Sequence, residues 1–103
     1  MSRREKLEAL LQAEPDDTFL QYALAMQFVS DGDDPGAALR LDRLLDQDPH
    51  YIPAYFQLGQ LLARGGDAER SRQILARGIE LAQIAGDDHA AGEMQGLLAQ
   101  LVS

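Results

Sequence analysis

Apolar residues recur along the chain at intervals of three and four, the spacing of one buried helical face. Leu7, Leu10 and Leu11 form the first such stripe, over Arg3 to Ala13, and Pro15 ends it. From Thr18 to Val29 the apolar positions Phe19, Leu20, Tyr22, Ala23, Leu24, Met26 and Phe28 nearly encircle a second helix, as expected of one that is buried or faces a partner. Ala37, Ala38, Leu41, Leu44 and Leu45 predict a third helix running to about Asp46, with Arg40, Asp42 and Arg43 on its solvated side. A fourth extends from about Pro53 to Arg64. A fifth presents Ile74, Leu75, Gly78, Ile79, Ala82 and Ala85 on one face, and Gly78 is where a small residue admits a close neighbour. The last carries Ala90, Ala91, Met94, Leu97, Leu98, Leu101 and Val102.

Turn chemistry separates these segments. Ser30-Asp31-Gly32-Asp33-Asp34-Pro35 offers Gly32 for a positive φ, then Asp34 as N-cap with Pro35 at the first helical position. Gly65-Gly66-Asp67 repeats the device, with Asp67 as cap and Glu69 in the favourable first turn. Asp16 or Asp17 can cap the second helix; Gly86 reads as a C-terminal stop, and Asp87 or Asp88 as the last cap. Asp48-Pro49 closes the third helix because a residue before proline is biased away from helix.

The pattern repeats with a period of 34: Leu24, Ala25, Phe28, Gly32 and Asp33 fall on Leu58, Gly59, Leu62, Gly66 and Asp67, and Pro15 falls on Pro49. A period of that length signifies stacked helical hairpins. The second copy, with Tyr55, Leu58, Gly59, Leu62, Gly66, Asp67, Ser71, Leu75 and Gly78 at the marked positions, resembles the tetratricopeptide repeat. The first copy, with Leu24, Ala25, Phe28, Gly32, Asp33, Ala37, Leu41, Leu44, Asp48 and Pro49, resembles it too; it departs at Gln21, where an aromatic is usual, and the second departs at Gln83, where proline closes the repeat.

The resemblance implies an all-α solenoid of antiparallel hairpins. About six helices are expected in a single domain over residues 1–103: a capping helix over 1–14, repeats over 18–51 and 52–85, and a second capping helix over 87–102. It also implies that the first helix of each repeat lines a concave groove that receives a protein or peptide. Carried over, the groove positions are Phe19, Tyr22, Met26, Val29 and Ser30 in the first repeat and Pro53, Phe56, Gln60, Ala63 and Arg64 in the second. The expected ligand is an apolar or amphipathic segment of another protein, with Phe19, Tyr22, Met26 and Phe56 as anchors and Arg64 available to an acidic group. Family members that clamp a terminal carboxylate use lysine and asparagine at groove positions where this chain has neither, which disfavours that ligand. The alternative is structural: the same strip, or the last helix, is buried in a homodimer.

Composition narrows the partners. A chain of 103 residues is long enough to bury a core without staples. It contains no cysteine, which excludes disulfides, thiolate metal sites and thiol nucleophiles and fits a cytoplasmic protein. Its net charge of −8 repels phosphate backbones and anionic lipid, so nucleic acid and membrane surfaces are not expected partners. No stretch has the apolar length of a signal peptide or a membrane span. Aspartate outnumbers glutamate and Lys6 is the lone lysine, a balance that fits either a codon bias toward arginine or a high-salt habitat.

Candidate chemistry is sparse, and neither an enzyme nor a cofactor is expected. His50 and His89 stand without a second ligand in register, and Ser2, Ser30, Ser71 and Ser103 have no nucleophile-elbow context. Asp31, Asp33, Gly36 and Asp42 fall on slots of a calcium loop, but Pro35 occupies the slot needing a side-chain oxygen, so helix capping accounts better for the cluster.

Overall fold

Residues 1–101 are described by the computed structural model, and they form six helices with no strand among them. These are α1 (Arg3–Ala13), α2 (Thr18–Ser30), α3 (Asp34–Gln47), α4 (Ile52–Arg64), α5 (Ala68–Ala85) and α6 (Asp88–Leu101). The all-α expectation holds, and the boundaries lie within a residue or two of those the apolar periods predict. Val102, expected at the end of the last helix, lies outside the described residues.

The chain divides into two compact units, one over Met1–Pro49 and one from His50 onward. In the first, α1 and α3 both pack on α2. Its core is Leu7 from α1, Leu24, Ala25 and Phe28 from α2, and Ala37, Leu41 and Leu44 from α3, all buried. In the second, α5 packs on both α4 and α6, and α6 also reaches α4. Ala54, Tyr55, Leu58 and Leu61 of α4 are buried there, as are Leu75, Leu81 and Ala82 of α5 and Ala91 and Met94 of α6.

One turn design joins α2 to α3, α4 to α5 and α5 to α6. Gly32, Gly66 and Gly86 take φ of 82°, 91° and 74°, the left-handed region that other residues enter at a cost. The aspartate that follows each glycine donates its N–H back into the preceding helix: Asp33 to Phe28 O at 2.9 Å, Asp67 to Leu62 O at 2.8 Å and Asp87 to Ala82 O at 2.8 Å. The carboxylate of the same aspartate then caps the next helix, accepting from Gly36 N at 2.9 Å, Arg70 N at 3.2 Å and Ala90 N at 3.0 Å. Asp17 caps α2 in the same manner, through Leu20 N at 3.0 Å. The cap of α3 is thus Asp33, one residue before the Asp34 expected from its proline. Pro35 sits comfortably inside the first turn because the N–H it lacks has no intrahelical partner there.

Two further expectations are corrected, for α1 and α5. Leu10 is 52% exposed and Leu11 half-buried, so α1 buries Leu7 alone; a helix resting on one neighbour covers a narrow stripe. In α5, Ala85 is exposed and Leu81, absent from the expected face, is buried.

The first turn of α1 is closed by a reciprocal pair: Ser2 Oγ accepts from Glu5 N, and a Glu5 carboxylate oxygen accepts from Ser2 N, both at 3.1 Å. The main-chain bond from Ser2, followed by the contact with its side chain, holds the Glu5 carboxyl below its ordinary pKa.

Candidate functional site

The residues expected to meet a partner lie on α2 in the first unit and on α4 in the second. On α2, Phe19, Tyr22, Met26 and Val29 follow one another at spacings of three, four and three, which sets them along one flank. Phe19 is the exposed member; Tyr22, Met26 and Val29 are half-buried, and Ser30 at the helix end is exposed. On α4, Phe56, Gln60 and Ala63 share a flank and are half-buried, while Pro53 and Arg64 are exposed.

The opposite sides of the same helices carry the seams with α3 and α5. In the second unit that seam is tight. A Cβ on Gly59 would stand 2.5 Å from Leu75 Cδ2, and one on Gly78 would stand 2.6 Å from both Tyr55 Cβ and Met94 Sδ. Backbone therefore meets side chain at both positions, as the sequence suggests for Gly78. The Ser71 hydroxyl, fully buried, donates to Gly59 O at 2.7 Å, which confirms a packing position. In the first unit the ring of Phe28 lies under two guanidinium groups. Arg4 Cζ is 3.7 Å and Arg40 Cζ 5.1 Å from its centroid, within range of attraction to the ring face.

Gln21, which stands in place of the usual aromatic, links the turn after α1 to the end of α3. Its Nε2 donates to Pro15 O at 2.8 Å and to Gln47 Oε1 at 2.7 Å. Gln47 Nε2 in turn donates to Asp16 O at 3.3 Å and Asp16 Oδ1 at 3.2 Å. The second atom of the Gln21 amide, Oε1, is buried without a hydrogen-bond partner. No periodicity singles out two glutamines 26 residues apart, so this pairing is visible only once α2 and α3 are side by side.

The residues weighed for chemistry have other occupations. Asp33 caps α3, and Asp31 accepts from Gln27 Nε2 at 3.0 Å and faces Arg4 at 3.7 Å. His89 lies on the surface of α6 with Nε2 3.1 Å from Glu93 Oε1. Among the described residues no group of three or more His, Cys, Asp or Glu is placed to hold a metal ion, and no helix is long and apolar enough to cross a membrane.

Comparison with known proteins agrees with this architecture. The family described as Tetratricopeptide repeat matches residues 28–101. A TPR repeat-containing protein of Pseudomonas aeruginosa is 33% identical over 97 residues, covering 94% of this chain and 92% of the relative. Among solved structures, a Bordetella parapertussis protein determined in solution is similar at a TM-score of 0.85 and 32% identity, over 98% of this chain and 88% of that one. The crystal structure of a tetratricopeptide repeat domain protein from Salinibacter ruber is similar at a TM-score of 0.79 and 28% identity, over 82% of this chain and 96% of that one.

Proposed function

Because the chain belongs to the tetratricopeptide repeat family, which in general supplies non-catalytic scaffolds that bind other proteins, we propose that it holds an apolar or amphipathic segment of a partner protein on the first helix of each repeat. The repeats are residues 18–51 and 52–85. Phe19, Tyr22, Met26 and Val29 form the binding flank of the first; Phe56, Gln60, Ala63 and Arg64 form that of the second. The acidic, cysteine-free composition supports a cytoplasmic setting.

The observation that carries this reading is Phe19. An aromatic ring 67% exposed on a helix whose other large residues are at least half-buried leaves apolar surface in water that a ligand would cover. Covering such a ring contributes on the order of 1–3 kcal/mol, enough to make it an anchor.

The test uses peptides selected from a displayed library against the whole chain. Phe19→Ala combined with Phe56→Ala should weaken the selected peptides tenfold or more while the melting transition of the chain stays nearly in place. Peptides that bind the double variant unchanged would overturn the reading. Sedimentation over a concentration series separates it from self-assembly: a dimer that competes with the peptides would assign the same flank, or the last helix, to a second copy.

A further inference from the structure

The first unit contains a pocket on the other side of α2 from Phe19 and Met26. It is a cavity of about 200 Å³ lined by Leu11 of α1, Pro15 of the following turn, Gln21 of α2, and Arg40, Arg43 and Gln47 of α3. A shallower depression alongside it, which includes Glu8 and Leu24, shares Leu11, Pro15 and Arg40 with it. Arg40 therefore stands between the two.

The amides of this pocket are committed, whereas its cations have no carboxylate partner among the described residues, Arg40 resting only against the Phe28 ring. Gln21 and Gln47 spend their N–H groups on Pro15, on Asp16 and on each other, and so tie the turn after α1 to the end of α3. Among the described residues, neither Arg40 nor Arg43 lies within ion-pair distance of a carboxylate. Arg4, which shares the Phe28 ring with Arg40, is by contrast paired with Glu8 at 3.9 Å and Asp31 at 3.7 Å. In the second unit Arg72 and Arg77 are each paired with a glutamate. With 17 acidic residues against 9 basic ones in the chain, two guanidinium groups without a carboxylate at one cavity leave a locally cationic site on an acidic protein.

We propose that this pocket receives an acidic side chain of a partner polypeptide, with an apolar neighbour of that residue lying in the adjoining depression. Guanidinium groups present planar donor forks that match a carboxylate, and Leu11 and Pro15 supply apolar wall for its stem. The size fits one side chain: small-molecule pockets run from roughly 300 to 1,000 Å³, larger than this one. Asp16, held beside the pocket by Gln47, adds repulsion that a singly charged carboxylate bears better than a phosphate dianion does.

The probe is acetyl-Leu-Glu-Leu-amide, titrated into the full chain at low salt while the Nε–Hε signals of Arg40 and Arg43 and the amide signals of Gln21 and Gln47 are followed by NMR. Saturable shifts are expected at millimolar peptide. Replacing the peptide's glutamate by glutamine should weaken binding at least fivefold, and so should Arg43→Gln; Arg43 is exposed, which makes it the variant least able to disturb the fold. Arg77→Gln, at the matching place in the second repeat, should leave binding unchanged. Arg43→Lys, which keeps the charge without the fork, should fall between, and it provides the reading if Arg43→Gln fails to fold. Equal binding of the glutamine peptide, or indifference to both Arg43 variants, would overturn the proposal. Free propionate or inorganic phosphate binding as tightly as the peptide would also overturn it, by assigning the pocket to a free anion.

Discussion

The hairpins α2–α3 and α4–α5 share a period and a turn, yet they place their bulk on opposite helices. In the first, Leu44 of α3 is fully buried and the matching α2 position is the half-buried amide of Gln21. In the second, 34 residues on, the buried ring of Tyr55 on α4 meets bare backbone at Gly78 on α5. A second pair of positions differs too. Ala25 and Ala37 are both fully buried, whereas their counterparts Gly59 and Ser71 add a hydrogen bond and admit the methyl groups of Leu75. The repeat therefore constrains the space shared by two helices more than the residue at any one place. Interiors are packed densely enough that volume gained on one side has to be yielded on the other.

Exchanging the two solutions tests that lesson most severely. Leu44→Gly installs the second unit's residue without its aromatic; the lost leucine and the helical glycine together cost about 4 kcal/mol in denaturant unfolding. Adding Gln21→Tyr should recover about 1–2 kcal/mol if the seams are interchangeable. No recovery would break the comparison. Gly78→Ala, which drives a methyl against Tyr55 Cβ and Met94 Sδ, should cost about 2 kcal/mol even after its gain in helix propensity. Ser71→Ala should cost about 1 kcal/mol, since Gly59 O keeps its helical partner and loses only the hydroxyl. The smallest effect concerns α1. Glu5 has a folded pKa depressed below its ordinary 4.5, so its support is complete above that value and is lost as pH falls through and below it. The Cα chemical shifts of residues 3–6 should drift toward coil between pH 6 and pH 3, and those of Glu5→Gln should stay flat.

The comparison also explains what could be read from the sequence. Six helices and their turns were legible because Gly32-Asp33 and Gly66-Asp67 punctuate an apolar period, and both features act within one turn of the chain. The choice of Asp33 over Asp34 as cap was not, because adjacent carboxylates look alike until one of them reaches Gly36 N. The exposure of Leu10 depends on how many neighbours α1 has, which no local pattern records. Likewise, spacing identifies Phe19, Tyr22, Met26 and Val29 as sharing a flank of α2 but says nothing of what they meet. The Gln21–Gln47 link arises from polar residues that no apolar period marks, and the cavity beside it joins them to Leu11 of a different helix.

The recurring turn bears on the order in which this protein takes shape during synthesis. Each turn closes its helices through bonds that span five residues, so the pairing of α2 with α3 waits on nothing further along the chain. The first unit is complete at Pro49, with α4, α5 and α6 still to be added. At roughly 5–20 residues per second that leaves several seconds. Helical proteins with such local pairings fold in microseconds to milliseconds. The first hairpin thus has time to settle while the second unit is still being made, and both the Arg40–Arg43 pocket and the α2 flank belong to the unit that is synthesised first.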